Sequence, residues 1–314
     1  MLSRRHLRIK VMQSLYGWFS AGFESVGSGE KELLLSINRF YELFLYQLQF
    51  LSEIRDVAEK QLEDSKQKHI PTKQDLNPNT RFIQNPFLVA ISNNSVINDL
   101  YAKKKISWVG ENEIVRRIFA NIKSSEAYIK YISSEKISFE EDKEIIVNII
   151  KNHIVDFPPL MQFYEDRSIF WVDDIDIVNI ILINVVKSCK DDTIDSSISG
   201  LEWFVDDEDR AFATDLFRKT IMSSEKLEKR ISEKTLNWEA ERIAMMDFLL
   251  MKMALCELLE FPSIPVKVTL NEYIDLSKMY STPKSSIFIN GILDKLIADM
   301  KETNEIKKAG RGLM

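Results

Sequence analysis

The sequence predicts an all-α protein, and three observations carry that expectation. Only 9 Gly and 8 Pro occur in 314 residues, too few for the many turns a sheet protein of this size needs. Apolar residues recur at three- and four-residue spacing in segment after segment, the period of a helix with one face turned inward. The chain is 45% hydrophobic and 29% charged, a mix able to bury a core between such helices.

The elements follow in order. Arg5 to Phe19 reads as a helix, because Leu7, Val11, Leu15 and Trp18 form one stripe and Ser3 is placed to cap it. Arg4 and Arg8 project close to that stripe. Two unpaired guanidinium groups are not buried, so the first turn is expected to extend past the core with its cations open to an anion. Gly17 and Gly22 weaken the end of this helix. A longer pattern runs from Glu30 to Lys66 through Leu33, Ile37, Phe40, Phe44, Leu48 and Leu51. His69 to Pro86 holds Pro71, Pro78, Pro86 and several Asn, and reads as an exposed loop. Helices are then expected at Val96–Lys105, Glu111–Ser133, Phe139–Val155 and Asp173–Lys190, with Pro158–Pro159 separating the last two. Asp206 to Asp209 supplies an acidic start to a helix reaching Met222. Helices at Ser224–Thr235, Trp238–Glu260, Val266–Tyr280 and Ser285–Met300 complete the series, punctuated by Pro262, Pro265 and Pro283. Lys301 to Met314 is polar and basic and is expected to be a disordered tail.

The net charge of −6 argues against nucleic acid as a partner, but the charge is unevenly spread. Met1 to Phe23 carries Arg4, Arg5, Arg8, Lys10 and His6 with no acid, whereas between Glu165 and Asp209 13 acids face three bases. A basic tip and an acidic middle suit different partners; the acidic block reads either as a docking face for a basic protein or as a soluble outer layer. Cys189 and Cys256 lie far apart in apolar helical patterns, as buried thiols do. No Cys/His cluster, glycine-rich phosphate loop or nucleophile turn is present. Acid pairs such as Asp173–Asp174 and Asp206–Asp207 read as solvated helix starts. No metal, cofactor or enzyme activity is therefore expected. The longest apolar stretch, Ile175 to Val186, is broken by Asp176, Asn179 and Asn184, so neither a membrane span nor a signal peptide is expected, and the chain reads as cytoplasmic.

Two segments resemble the NusB family of transcription antitermination factors. The first is Ser3-Arg4-Arg5-His6-Leu7-Arg8 with Gln13-Ser14-Leu15-Tyr16, similar to that family's Arg-rich start and Gln-x-Leu-Tyr helix. The second comprises Ala254-Leu255-Cys256-Glu257-Leu258, then Pro265-Val266-Lys267-Val268-Thr269-Leu270-Asn271-Glu272, then Phe288-Ile289-Asn290-Gly291-Ile292-Leu293-Asp294. The order and spacing of these elements are specific. The resemblance implies a NusB-like helical bundle with a large additional helical region inserted after the first helix. Residues 1–23 would be the first bundle helix with a basic arm, 24–201 a helical insertion, 202–300 the remainder of the bundle and 301–314 the tail.

The resemblance also implies a function: the family pairs with the ribosomal protein NusE, and the pair binds boxA RNA within the RNA polymerase antitermination complex, notably on ribosomal RNA operons. By position, Arg4, Arg5, Arg8 and Lys10 are the RNA-contacting arm, where cations neutralise phosphates and release counterions. Tyr16, Phe288 and Asn290 would add stacking and hydrogen bonding to single-stranded bases, or else belong to the core. Glu241 and Asp247 match the acidic positions presented to NusE. Asn271, Glu272 and Glu257 read as structural polar groups within the bundle. Where relatives carry a carboxylate and a base just before the Phe, this chain has Lys284 and Ile287. That departure leaves a second reading, a helical protein-interaction scaffold with the RNA role lost or altered. An RNA methyltransferase is set aside, because no glycine-rich methyl-donor domain follows the bundle motifs.

Overall fold

The computed structural model describes residues 2–21, 25–202, 207–235 and 244–309, and among them all regular structure is helical, as expected. In chain order the α-helices are α1 (Arg4–Ala21), α2 (Val26–Lys66), α3 (Lys73–Leu76), α4 (Pro86–Asn93), α5 (Ser95–Lys104), α6 (Asn112–Lys123), α7 (Glu126–Ser133), α8 (Phe139–Ile149), α9 (Pro158–Arg167), α10 (Ile175–Ser188), α11 (Ile194–Ser199), α12 (Asp207–Met222), α13 (Ser224–Lys234), α14 (Met245–Glu260), α15 (Val266–Tyr280) and α16 (Ser285–Glu302). They gather into two compact units. One comprises Leu2–Ile37 and Val205–Met314, the other Asn38–Phe204, so α2 contributes residues to both.

The unit built on Asn38–Phe204 is organised by α2, whose Phe40, Phe44, Leu48 and Leu51 are buried as the sequence pattern demands. Around Tyr46 lies an aromatic cluster. Trp108 stacks on Phe163 with ring centroids 4.4 Å apart and meets Phe50 at 4.5 Å. The indole N–H groups are satisfied: Trp108 donates to the Tyr46 carbonyl at 3.2 Å and Trp171 to the Arg39 carbonyl at 2.7 Å, as large buried amphipathic rings require. Asn179, one of the polar interruptions of α10, is buried and accepts a 2.9 Å bond from Gln47.

Several helices of this unit escape sequence reading for identifiable reasons. Pro86 and Pro158 look like breaks, yet each opens a helix, where proline's missing N–H is no loss. Asn85 caps α4 by accepting from Phe87 N and Leu88 N at 3.1 and 3.3 Å, while its amide donates to the Asp142 carbonyl at 2.9 Å. The expected Glu111–Ser133 helix is two helices, because Ser125 accepts from Tyr128 N and starts a new one. The expected Phe139–Val155 helix ends in a π-turn at Ile150–Ile154. Within the expected loop 69–86, Thr72 and Asp75 form a reciprocal capping box around α3. The Asp75 carboxyl is pulled down to about 2 by Lys68 and by the hydrogen bonds from Thr72.

In the other unit α14 is the centre. Leu249 to Leu258 is buried on every side, the mark of a helix surrounded by others. α1 packs on α12 and α14, α15 on α14, α16 on α15, and α13 on α14 and α16. Gly29 of α2 permits the close approach of Phe217: a Cβ there would sit 2.7 Å from the ring and 3.1 Å from Trp18. Cys256 lies in this core, its thiol pushed up to about 12 by burial; Cys189 is buried in the other unit.

Two expectations need correction. Ser3 precedes α1, but its hydroxyl meets the His6 ring Nδ1 at 3.0 Å, so it braces the first turn through a side chain. The expected tail is ordered as far as Ala309. Lys301 and Glu302 extend α16, Arg230 pairs with Glu305, Lys308 donates to the Phe261 carbonyl at 3.0 Å, and Ala309 N donates to the Pro262 carbonyl at 3.0 Å. The last two contacts engage carbonyls just beyond the end of α14. Residues 310–314 lie outside the described residues.

Asn85→Ala should destabilise the chain by about 2 kcal/mol, combining a lost cap with an unpaired buried carbonyl. Urea unfolding measures it, and a change within about 0.5 kcal/mol would deny Asn85 both roles.

Candidate functional site

The first turn of α1 is where the sequence concentrates cations, and the fold gives each a different fate. Arg8 is 3% exposed. Its Nε and Nη2 donate to the two carboxylate oxygens of Glu257, fully buried on α14, at 2.7 and 2.8 Å. Thr269 Oγ1 and the Tyr273 hydroxyl, both from α15, donate to the same carboxylate at 2.8 and 3.1 Å. Burial works against the Arg8 charge, but the Glu257 bonds override it and hold Arg8 above its ordinary value. Burial also drives the Tyr273 phenol well above the tyrosine range, so it remains a donor. One carboxylate thus ties α1, α14 and α15 together.

Arg5 is partly exposed and donates to Glu272 at 2.9 and 3.0 Å and to Asp275 at 2.9 Å. Arg4 pairs with Glu208 and, at 3.4 Å, with Asp209, in the first turn of α12. The guanidinium groups of Arg4 and Arg8 both lie 5.3 Å from the Phe212 ring centroid. His6 is half-buried. Burial, reinforced by the Arg5 charge, lowers its pKa and favours the neutral ring.

The expected basic arm is therefore corrected in two respects. Arg8 and Lys10, 3% and 2% exposed, belong to the interior; for Arg8 the acidic partner on α14 removes the cost that made a buried guanidinium implausible. Arg4 and Arg5 reach the surface, but in the company of acids. The signal for this was present in the sequence: Arg8 projects toward an apolar stripe, and Glu257 is flanked by apolar residues in Ala254-Leu255-Cys256-Glu257-Leu258.

Asp247, expected to face a partner, is 5% exposed. It accepts from Ser281 and, at 2.8 Å, from Ser285, whose Oγ also accepts from Thr282 N at 3.2 Å. Its role is to fix the turn that launches α16, so its charge is spent on hydroxyl donors rather than offered outward. Glu241 lies outside the described residues. Asn290 sits in the second turn of α16 and donates to Asp294 at 3.1 Å, while Phe288 is half-buried. Asn271 is exposed, and Glu272 is engaged by Arg5.

The candidate residues fall into two groups. Arg4, Arg5 and Arg8 line an open groove with Ile264, Pro265 and Val268, at the start of α15. Tyr16, 43% exposed, lines another with Met245, Tyr280 and Pro283, at the end of α15 and next to the turn preceding Phe288. Arg5 and Tyr16 are separated along α1 by roughly 16 Å at about 1.5 Å per residue. The structure thus brings Tyr16 toward the Phe288 turn and leaves the arginines at the opposite end of α15. Sequence reasoning did not anticipate Met245, Tyr280 or Pro283 as neighbours of Tyr16, nor Glu208, Asp209 and Asp275 as arginine partners. The one available hint was that Glu272 and Asp275 share a face at i,i+3.

Fold and site together define an all-helical bundle protein with a polar clasp at its centre and open grooves at both ends of α15. The sequence profile of the NusB family matches residues 181–298, beginning inside α10 and ahead of the expected boundary at 202. Three relatives bear the name transcription antitermination protein NusB. That of Salinibacter ruber is 42% identical over 105 residues, 33% of this chain and 66% of the relative. That of Chloroherpeton thalassium is 34% identical over 129 residues, 41% of this chain and 61% of the relative. That of Geotalea daltonii is 34% identical over 117 residues, 37% of this chain and 79% of the relative. The chain belongs to the NusB family. It spans a little under two thirds of the length of the first two relatives. No solved structure matches it, and among the described residues no helix is long and apolar enough to cross a membrane.

The clasp and the neighbouring His6 each give a prediction. Arg8→Met alone strands a buried carboxylate and should cost about 3–5 kcal/mol, whereas the double substitution Arg8→Met, Glu257→Met should recover most of that loss; equal losses in single and double variants, read from denaturant midpoints, would count against the clasp. For His6 the folded pKa lies below the unfolded one, so the unfolded chain takes up the proton first. Its contribution is complete above the unfolded value and declines as pH drops through about 6.5 and below. Wild type minus His6→Asn stability should therefore fall between about pH 7 and pH 5, and a flat difference would contradict it.

Proposed function

We propose that this chain is a transcription antitermination factor that acts on boxA-type RNA together with the ribosomal protein NusE, in a complex with RNA polymerase, and catalyses no reaction. The observation that carries this reading is the family match across the far bundle helices together with relatives named as antitermination proteins. On this reading Tyr16 and Phe288 offer rings, and Asn290 an amide, to unstacked bases beside the turn at 281–285. Arg4 and Arg5 contact phosphate in competition with their acidic neighbours. Glu241 contributes to the NusE face, and Asp247 acts from beneath by shaping the turn. Of the expected insertion 24–201, residues 38–180 are the helical addition to the bundle; residues 25–37 belong to the bundle unit and 181–201 fall within the family match.

A second reading has a specific observation in its favour. Arg4 and Arg5 face four carboxylates, Glu208, Asp209, Glu272 and Asp275, which weakens their call on an anion and suits a bundle that serves as a protein-interaction scaffold.

Anisotropy titration of a boxA-type RNA, with and without NusE and across a salt series, separates the two. If the chain is an RNA-binding factor, Arg4→Ala, Arg5→Ala should lower the slope of log K against log salt by roughly 1.4, two phosphate contacts at about 0.7 each on a single strand. Glu208→Gln, Asp209→Asn should tighten binding severalfold by freeing Arg4. Failure of the wild type to bind RNA under either condition would leave the scaffold.

A further inference from the structure

The acidic middle of the sequence is not absorbed by the RNA reading, and in the Asn38–Phe204 unit part of it borders an apolar surface of unusual construction. Val109 is 90% exposed, Ile169 83% and Val172 51%. Single exposed apolar residues are commonplace, but these three share one end of the unit. Arg167 and Glu111 pair at 3.6 Å, which draws the turn carrying Val109 beside the segment carrying Ile169.

The residues beneath are buried and hydrogen-bonded. Glu111 N donates to the Trp108 carbonyl at 3.0 Å, closing a tight turn over residues 108–111, and Gly110 takes the positive φ of 95° that such a turn needs. Val109 is held at its tip. Trp108 underneath is 2% exposed and stacked on Phe163. The Arg167 guanidinium lies 4.2 Å from the centroid of that same Phe163 ring. Ile169 and Val172 flank Trp171, itself 2% exposed and hydrogen-bonded to α2. Apolar side chains fixed on an ordered aromatic base lose little entropy on contact with a partner, which is the property of an interface anchor.

Glu165, Asp173 and Asp176, each within four residues of Ile169 or Val172 along the chain, are all exposed. No ion pair with a described residue engages them, in contrast to the carboxylates around α1. An apolar centre with a negative rim is complementary to a helix bearing apolar residues on one face and Lys or Arg alongside.

We propose that this end of the unit is a docking surface for a cationic amphipathic helix of a partner protein, with Val109, Ile169 and Val172 as anchors and the acids as rim. The rim steers and orients, and the apolar anchors supply most of the affinity. The surface belongs to the Asn38–Phe204 unit, and the grooves assigned to RNA belong to the other unit.

The test uses the full chain and a fluorescently labelled synthetic helix of Leu and Lys at i,i+3/i+4 spacing, with a Leu/Glu counterpart of the same pattern. The Leu/Lys peptide should bind saturably. Val109→Ser, Ile169→Ser should weaken it by about tenfold or more. Asp173→Asn, Asp176→Asn should weaken it by about threefold and flatten its salt dependence. All four positions are exposed, so unchanged thermal midpoints will show that the variants fold. Equal binding by wild type and variants, binding of the Leu/Glu peptide as tight as that of Leu/Lys, or no binding of either peptide would each overturn the proposal. RNA affinity of the same variants should equal that of wild type, so a failure here is distinguishable from a failure of the antitermination reading.

Discussion

The bundle depends on a single buried carboxylate. Glu257 has no exposed surface and sits on the helix around which the other bundle elements pack, so leaving it unpaired would cost several kcal/mol. Four donor contacts from three side chains, Arg8, Thr269 and Tyr273, remove that cost. These groups come from α1 and α15, far apart in sequence. Their convergence fixes the rotation and axial position of both helices against α14 more sharply than apolar packing alone, because bidentate geometry tolerates little displacement. Once α1 and α15 are set, the grooves at the two ends of α15 follow.

Charge is used differently elsewhere. Toward the surface of α1, Arg5 and Arg4 meet Glu272, Asp275, Glu208 and Asp209 in pairs open to solvent. Such pairs contribute modestly to stability and exchange partners readily. The same cations can thus brace the first turn and remain available to a stronger anion, a competition that a phosphate backbone enters with several charges at once. Asp247 shows the opposite arrangement. It is enclosed by the Ser281 and Ser285 hydroxyls and shapes the start of α16, so its influence on the surface near Phe288 is geometric.

The Asn38–Phe204 unit solves the core problem by other means. Its centre is aromatic, with Trp108, Phe163, Tyr46 and Trp171 in contact and their indole N–H groups given to backbone carbonyls of α2. Polar links such as Gln47–Asn179 and Asn85–Asp142 set the register of short helices whose propensities are weak. Short elements joined by Asn and Ser caps make this unit hard to read from sequence, since a single side chain decides whether a polar residue interrupts a helix or begins one.

The sequence by itself determined the helical class, most of the long helices, the buried positions of α2 and, through the Pro265–Glu272 and Phe288–Asp294 elements, the family. These are properties of local spacing, and spacing is visible in one dimension. It was not enough for α4, α9 and the α6–α7 division, where prolines and serines act as caps rather than breaks. Nor did it settle the candidate site. Whether Arg8 and Lys10 point to water, whether Asp247 faces a partner, and whether the arginines adjoin the Phe288 turn depend on what lies opposite each side chain. A charge is buried only when an opposite charge from a distant segment meets it, and that meeting is decided by helix packing in three dimensions.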